Sequence, residues 1–293
     1  MHGALRRWVD RLLTRVGISS FYDVCLVVLC LIFACMYPFA LIGIAFNITP
    51  PFTLGEAGSV MLFLEGSLVV LSAVRFVGWL RTFVAAVCVM LCAYVIEIVG
   101  VHTGWLFGRY VYTDSLQPQL PGGIPFAVLF AWLLIVFGSY AFVAGFRYTC
   151  RITLIRILAG ALLATLLDFA IEPVAAHIVF YWRWLEPGRL TYYGVPLTNF
   201  LTWYVVTFLL LLLLRWIWRS NRHDQDGHEP RSIAAQLPIF VPGMLFFCIL
   251  AMFGTIDLTH GYYGSIVVTV LGAIVAGVLW WRQEGKEHSL IGV

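Results

Sequence analysis

Eight separate runs of mostly apolar residues constrain this chain more than anything else in it: roughly 21–46, 57–74, 82–102, 124–146, 152–180, 196–217, 237–256 and 262–281. About 20 such residues are needed for a helix to cross the hydrocarbon of a bilayer. Composition points the same way: 61% hydrophobic residues, 11% charged residues and a mean hydropathy of +0.92 describe a chain whose solvent is mostly lipid. The expectation is an all-α, polytopic membrane helix bundle with about eight transmembrane helices.

Basic residues orient such a bundle, because cytoplasmic loops carry the excess of Lys and Arg. With the N-terminus cytoplasmic, eight spans put both termini and three loops on one side. Those regions hold Arg6, Arg7, Arg11, Arg15, Arg75, Arg81, Arg147, Arg151, Arg156, Arg215, Arg219, Arg222, Arg231, Arg282 and Lys286, fifteen in all, against Arg109, Arg183 and Arg189 opposite. The imbalance places the N- and C-termini in the cytoplasm. It also supports an even helix count, since losing one span would reverse the sign of every later loop. The chain then divides into a basic cytoplasmic N-terminal segment (1–20), a single transmembrane domain (21–281) and a cytoplasmic tail (282–293), in a multi-pass protein of the cell (plasma) membrane. The first run follows four arginines but is too long for a signal peptide and has no small-x-small cleavage site, so it reads as a retained anchor. The polar loop at 215–236 reads as a linker. A net charge of +3 makes no case for nucleic acid. Six cysteines lie in apolar runs, Cys150 lies in a basic loop and none forms a CxxC pair. They read as buried small apolar residues.

The most informative stretch is EIVGVHTGWLFGRYVYTDSLQPQLPGGIP, from Glu97 to Pro125. It starts with a carboxylate near the end of a span, runs through Trp105, Phe107, Tyr110 and Tyr112 spaced by glycines, and closes on a Pro/Gly turn. Both longer outer loops, 103–123 and 181–195, are dense in aromatics, Gly, Pro and Arg. Either an interfacial aromatic belt or a structured, membrane-dipping loop accounts for them. The two helix–loop–helix units also share a loose plan: a helix carboxylate, an aromatic loop with Arg, paired tyrosines, then x-Pro.

A charged group inside an apolar span is costly and is a functional hypothesis by default. Asp23 and Glu56 stand at helix starts, where the dipole favours anions. Asp257 lies at a short turn beside His260. Glu65 has no companion polar residue and reads as a structural acid. Asp168 and Glu172 are four apart and share one helix face. Two carboxylates so close in low dielectric cannot both ionise cheaply, which leaves a proton-bearing acid beside a carboxylate, suited to general acid chemistry. Glu97 and Glu172 come out at comparable depths, with Asn199 and Trp203 at a similar level on one face of the sixth helix. Pro173 frees the carbonyl of Phe169 and is placed to kink the fifth helix. Arg109, Arg183 and Arg189 are candidate counter-ions from above. His102, His177 and His260 fall near the outer face but lack the spacing of a histidine-rich metal site, so no metal is expected. The chain has no P-loop, no dinucleotide fingerprint after a strand and no GxSxG elbow.

The run EIVGVHTGWLFGRYVYT, the turn PQLPGGIP, Trp132, the helix DFAIEPVA, the W-x-W of Trp182 and Trp184, and YYGVPLTNFLTWY together resemble the integral-membrane carotenoid biosynthesis family, which includes the carotenoid 1,2-hydratases and a haloarchaeal bisanhydrobacterioruberin hydratase. The resemblance covers roughly residues 56–215. In the family pattern an Asp often stands where this chain has Glu172, and a Gly often stands at Thr202.

The resemblance implies addition of water across the terminal C1=C2 bond of an acyclic ψ end group. A proton is placed on C2, a tertiary cation forms at C1, and water captures it as a tertiary alcohol. The implied catalytic residues are Asp168, Glu172 and Glu97, with Asp168 or Glu172 as the acid and Glu97 or Asn199 positioning water. The implied substrate-binding residues are Trp105, Tyr110, Tyr112, Trp132, Trp182, Asn199 and Trp203, several of which offer aromatic faces to the cation. No cofactor is required. The implied partners are a lipophilic carotenoid, lycopene or γ-carotene-like, membrane lipid and other carotenoid-pathway enzymes. Rival readings are another acid-initiated terpenoid enzyme such as a cyclase, a proton-coupled transporter, or a scaffold. Against the transporter, no inverted repeat and no matched pair of broken helices is visible.

Overall fold

The structure, a computed structural model, describes residues 20–48, 54–144, 153–186, 188–219 and 233–291. The N-terminal arginines, Arg147, Arg151, Arg222, Arg231, Cys150 and most of the polar linker lie outside those residues, as do the side chains of Arg282 and Lys286. Among the described residues there are eight long helices: α1 (Phe21–Ala45), α2 (Leu54–Val77), α3 (Trp79–Thr103), α4 (Phe126–Ala144), α5 (Leu154–His177), α6 (Leu197–Trp218), α7 (Ile233–Thr259) and α8 (Tyr263–Ile291). All eight are long and apolar enough to cross a membrane. They coincide with the eight apolar runs to within a few residues, except that α8 continues past the run's end to Ile291.

Local chemistry sets several ends. Ser20 and Asp23 form a capping box at α1: the Asp23 N–H donates to Ser20 Oγ at 3.2 Å and the Ser20 N–H to Asp23 Oδ2 at 3.0 Å. Gly104, at φ 69°, closes α3 in the left-handed conformation and donates its N–H to the Gly100 carbonyl at 2.8 Å. Pro173 does not end α5, which runs on to His177.

The bundle is built around α4. In its apolar window 83% of residues are buried, against 11% for α1 and 17% for α8, which lie at the periphery. Close contact between α2 and α4 depends on Gly66: a Cβ there would come within 2.6 Å of the Phe130 carbonyl. Helices α5 and α6 pack through Phe169 and Phe200, stacked with centroids 3.6 Å apart. The apolar faces left outside, such as Leu80, Phe83, Leu91 and Val95 on α3, suit lipid rather than water. The described cysteines also lie on half-buried or exposed faces, so they are not the core residues expected.

The two aromatic loops are ordered structures. Strand β1 (Tyr110–Tyr112) belongs to the first loop, as do β2 (Gln119–Leu120) and β3 (Ile124–Pro125), which form a hairpin. Strand β4 (Trp182–Trp184) and the hairpin of β5 (Thr191–Tyr192) with β6 (Val195–Pro196) repeat that order in the second. Strands β1 and β4 pair antiparallel, Tyr110 opposite Trp184 and Tyr112 opposite Trp182. Alternation along a strand puts these four rings on one face, while Val111 and Arg183 are exposed on the other. The loose plan read from the sequence therefore has a structural counterpart: α3–β1–hairpin–α4 and α5–β4–hairpin–α6, joined through their strands.

Candidate active site

Beneath the β1–β4 ribbon lies a cavity of about 110 Å³, bounded by α2 to α7 and both loops. Glu97 on α3 stands six residues before Thr103, Glu172 on α5 five before His177, and Asp168 nine before it. At 1.5 Å rise per residue these carboxyls lie about 7–14 Å from the loop end of their helices. All three are buried.

Glu97 is held by three donors. The Tyr110 hydroxyl donates to Oε2 at 2.5 Å, the Tyr112 hydroxyl to the same oxygen at 2.8 Å, and the Trp132 indole N–H to Oε1 at 2.9 Å. The loop reaches down far enough because of Gly100: a Cβ at that position would stand 2.8 Å from the Phe107 ring and 3.0 Å from the Tyr110 hydroxyl. Burial first, and then the Glu97 carboxyl, hold the pKa values of both phenols well above the usual tyrosine value, so both remain O–H donors.

Glu172 has the corresponding arrangement with different chemistry. The Trp182 and Trp184 indoles donate to Oε2 at 3.0 and 3.2 Å, and Asn199 Nδ2 donates to Oε1 at 3.1 Å. The same Asn199 amide donates to Asp168 Oδ2 at 2.9 Å, so it bridges the two acids. Among the described residues no other group hydrogen-bonds to Asp168. Trp203, one helical turn after Asn199, stacks on Trp132 with centroids 4.1 Å apart and an interplanar angle of 11°. That pair joins the two carboxylate clusters.

The cavity thus gathers Glu97, Asp168, Glu172, Tyr110, Tyr112, Trp132, Trp182, Asn199 and Trp203. Trp105 is not brought to it: its side chain is 69% exposed and outside the lining, so an interfacial position replaces the expected substrate contact. The arginines do not act as counter-ions to the acids. Arg109 pairs with Glu186 at 3.0 Å on the exposed surface, and the buried carboxyls are held by neutral N–H and O–H donors instead. His177 contacts the Tyr193 carbonyl at 2.7 Å and His260 the Ile256 carbonyl at 2.9 Å, so each is engaged in its own loop. Thr202 donates to the Leu106 carbonyl at 2.5 Å, tying α6 to the first loop.

Sequence reasoning missed part of the lining. Glu65 on α2, read as a structural acid, faces the same cavity, as does Tyr181, whose phenol pKa is pushed up to about 12 by burial. The absence of polar neighbours on α2 gave no signal for Glu65, because its companions come from other helices.

A bundle of apolar helices closing four buried carboxyls under an aromatic ribbon suits chemistry on a lipophilic molecule. The chain belongs to the carotenoid biosynthesis protein family, whose model matches residues 57–276, beyond the stretch 56–215 over which the motifs are legible. The bisanhydrobacterioruberin hydratase of Haloarcula japonica is a relative, 30% identical over 204 residues. The match spans 68% of this chain and 64% of that protein's length. No solved structure matches the chain.

Proposed function

We propose that this protein is a carotenoid hydratase that adds water across the terminal C1=C2 bond of an acyclic ψ end group. The observation that carries the reading is the Asn199 amide bridging Asp168 and Glu172 inside a cavity lined by aromatic rings. Glu172 accepts three hydrogen bonds and Asp168 one. A carboxylate is stabilised by each donor it accepts, so the pair's single proton rests on Asp168. Asp168 delivers it to C2 of the polyene. The tertiary cation left at C1 is met by the Glu172 and Glu97 carboxylates and by the faces of Trp132 and Trp203. Water adds at C1, and the oxonium returns a proton to Asp168, giving the tertiary alcohol. These steps draw on no redox or metal chemistry. Family membership and the hydratase relative support the substrate class and the reaction.

In the cell membrane, the excess of Arg and Lys on one side supports cytoplasmic termini, and with them carboxyls in the outer half of the bilayer, within reach of external water. The test is expression in a lycopene-accumulating bacterium, with mass spectrometry of the extracted pigments and γ-carotene as second substrate. A gain of one water per processed end is expected. A product of unchanged mass with a shorter-wavelength spectrum would make the protein a cyclase, and unchanged pigment with both substrates would remove the reading.

A further inference from the structure

Glu65 is the carboxyl that the mechanism above leaves unused. It stands eleven residues after Leu54, is 4% exposed, and lines the same cavity as the other three acids. At 1.5 Å per residue it lies about 16 Å from the loop end of α2, deeper than Asp168. Its surroundings differ from theirs. Glu97 and Glu172 accept three hydrogen bonds each, whereas among the described residues nothing donates to Glu65. The rest of the lining from α2 and α7 is Leu62, Ile249 and Phe253, all apolar.

A buried polar side chain without a protein partner is satisfied by water or by a ligand. Placing a negative charge there, with no donor bonded to it, apolar walls from α2 and α7 and the Tyr181 phenol in the same lining, would be costly. Glu65 is therefore suited to act as a neutral carboxyl, which donates one hydrogen bond and accepts others. The two residues put forward from the sequence to position water are already engaged. Each oxygen of Glu97 already accepts from the protein, three hydrogen bonds in all, and both N–H groups of Asn199 are used on Asp168 and Glu172.

We propose that Glu65 holds the attacking water and presents its oxygen to C1; this rests on the hydration reading above. The π bond of C1=C2 breaks as the Asp168 proton forms the C2–H bond. The water held at Glu65 forms the C1–O bond, and the surplus proton of the oxonium goes to the Asp168 carboxylate. Glu65 is neutral before and after, and no further reactant is needed.

The experiment uses the full-length protein with an acyclic-ψ-end carotene in D₂O and follows two readouts, alcohol formed and deuterium in recovered polyene. Glu65→Leu still delivers a deuteron to C2, but the cation lacks a placed water and decays by losing a proton. Alcohol should fall about 100-fold, the scale of a lost positioning contact, while deuterium exchange into polyene persists. Glu65→Gln, which keeps a donor and an acceptor, should restore much of the alcohol. Full-rate hydration by Glu65→Leu overturns the proposal. If Glu65→Leu loses both signals, Glu65→Gln decides: exchange retained supports the role, and both signals lost overturns it. In these cases wild-type hydration stands and only the role of Glu65 is at stake. Absence of hydration by the wild type would instead remove the hydratase reading itself.

Discussion

The two helix–strand–hairpin–helix units place a glutamate at nearly the same depth, yet surround it differently. In the first, two phenols and an indole close on Glu97. In the second, two indoles and an amide close on Glu172. One turn deeper than Glu97 stands Ala93, fully buried, while one turn deeper than Glu172 stands Asp168. The first unit thus holds a single carboxyl among three donors. The second carries an extra acid sharing an amide with its neighbour. In the proposed reaction the first unit supplies the charge that faces the cation and the second moves the proton.

Mutations can break or sharpen that contrast. The largest effect belongs to Asp168→Asn, which removes the transferable proton but keeps the shape. Hydration measured by pigment mass should drop about 10²–10⁴-fold, the usual weight of general acid catalysis. Next comes Glu97→Gln, which deletes the charge that the proposed reaction sets against the cation and should cost about 10²-fold. If it costs as much as Asp168→Asn and also stops deuterium exchange, the first unit takes part in proton transfer and the contrast fails. Smaller effects come from removing one donor in each unit. Trp184→Phe should slow turnover by roughly tenfold and Tyr112→Phe by less, since a hydrogen bond to a charged group is worth about 1.5–3 kcal/mol and the neighbouring donors compensate in part. Rates in the reverse order would assign the chemistry to Glu97. The smallest effect is Arg109→Ala. It breaks an exposed pair worth about 0–1 kcal/mol, so turnover should stay within about twofold and the thermal midpoint in detergent should barely move.

Much of this architecture is legible in the chain. The Asp168–Glu172 spacing is a one-turn relation along a single helix, so both residues and their shared face follow from periodicity alone. The shared order of carboxylate, aromatic loop and x-Pro is likewise written in the residues of both units. The donors are another matter. That Tyr110 and Tyr112 would serve Glu97, while Trp182 and Trp184 serve Glu172, depends on β1 meeting β4 some 70 residues away. Arg109 reads as a counter-ion in the sequence because Arg commonly accompanies buried acids, but its charge stays in the exposed loop with Glu186. Trp105 lies in the same dense aromatic block as Tyr110, and only the turn at Gly104 and the path beyond it carry the indole outward.

By itself the sequence determined eight apolar helices, their approximate ends and the comparable positions of Glu97 and Glu172 along their helices, because the length of an apolar run, the rise per residue and the three-to-four-residue face are local properties of the chain. The tertiary structure decided which faces meet: that Glu65 joins the cavity, that Trp132 stacks on Trp203, and that neutral donors rather than arginines hold the acids. The physical reason is that a helix apolar all round carries no stripe to say which side packs inward. The positions of its few polar groups acquire meaning only when neighbouring helices and loops close around them.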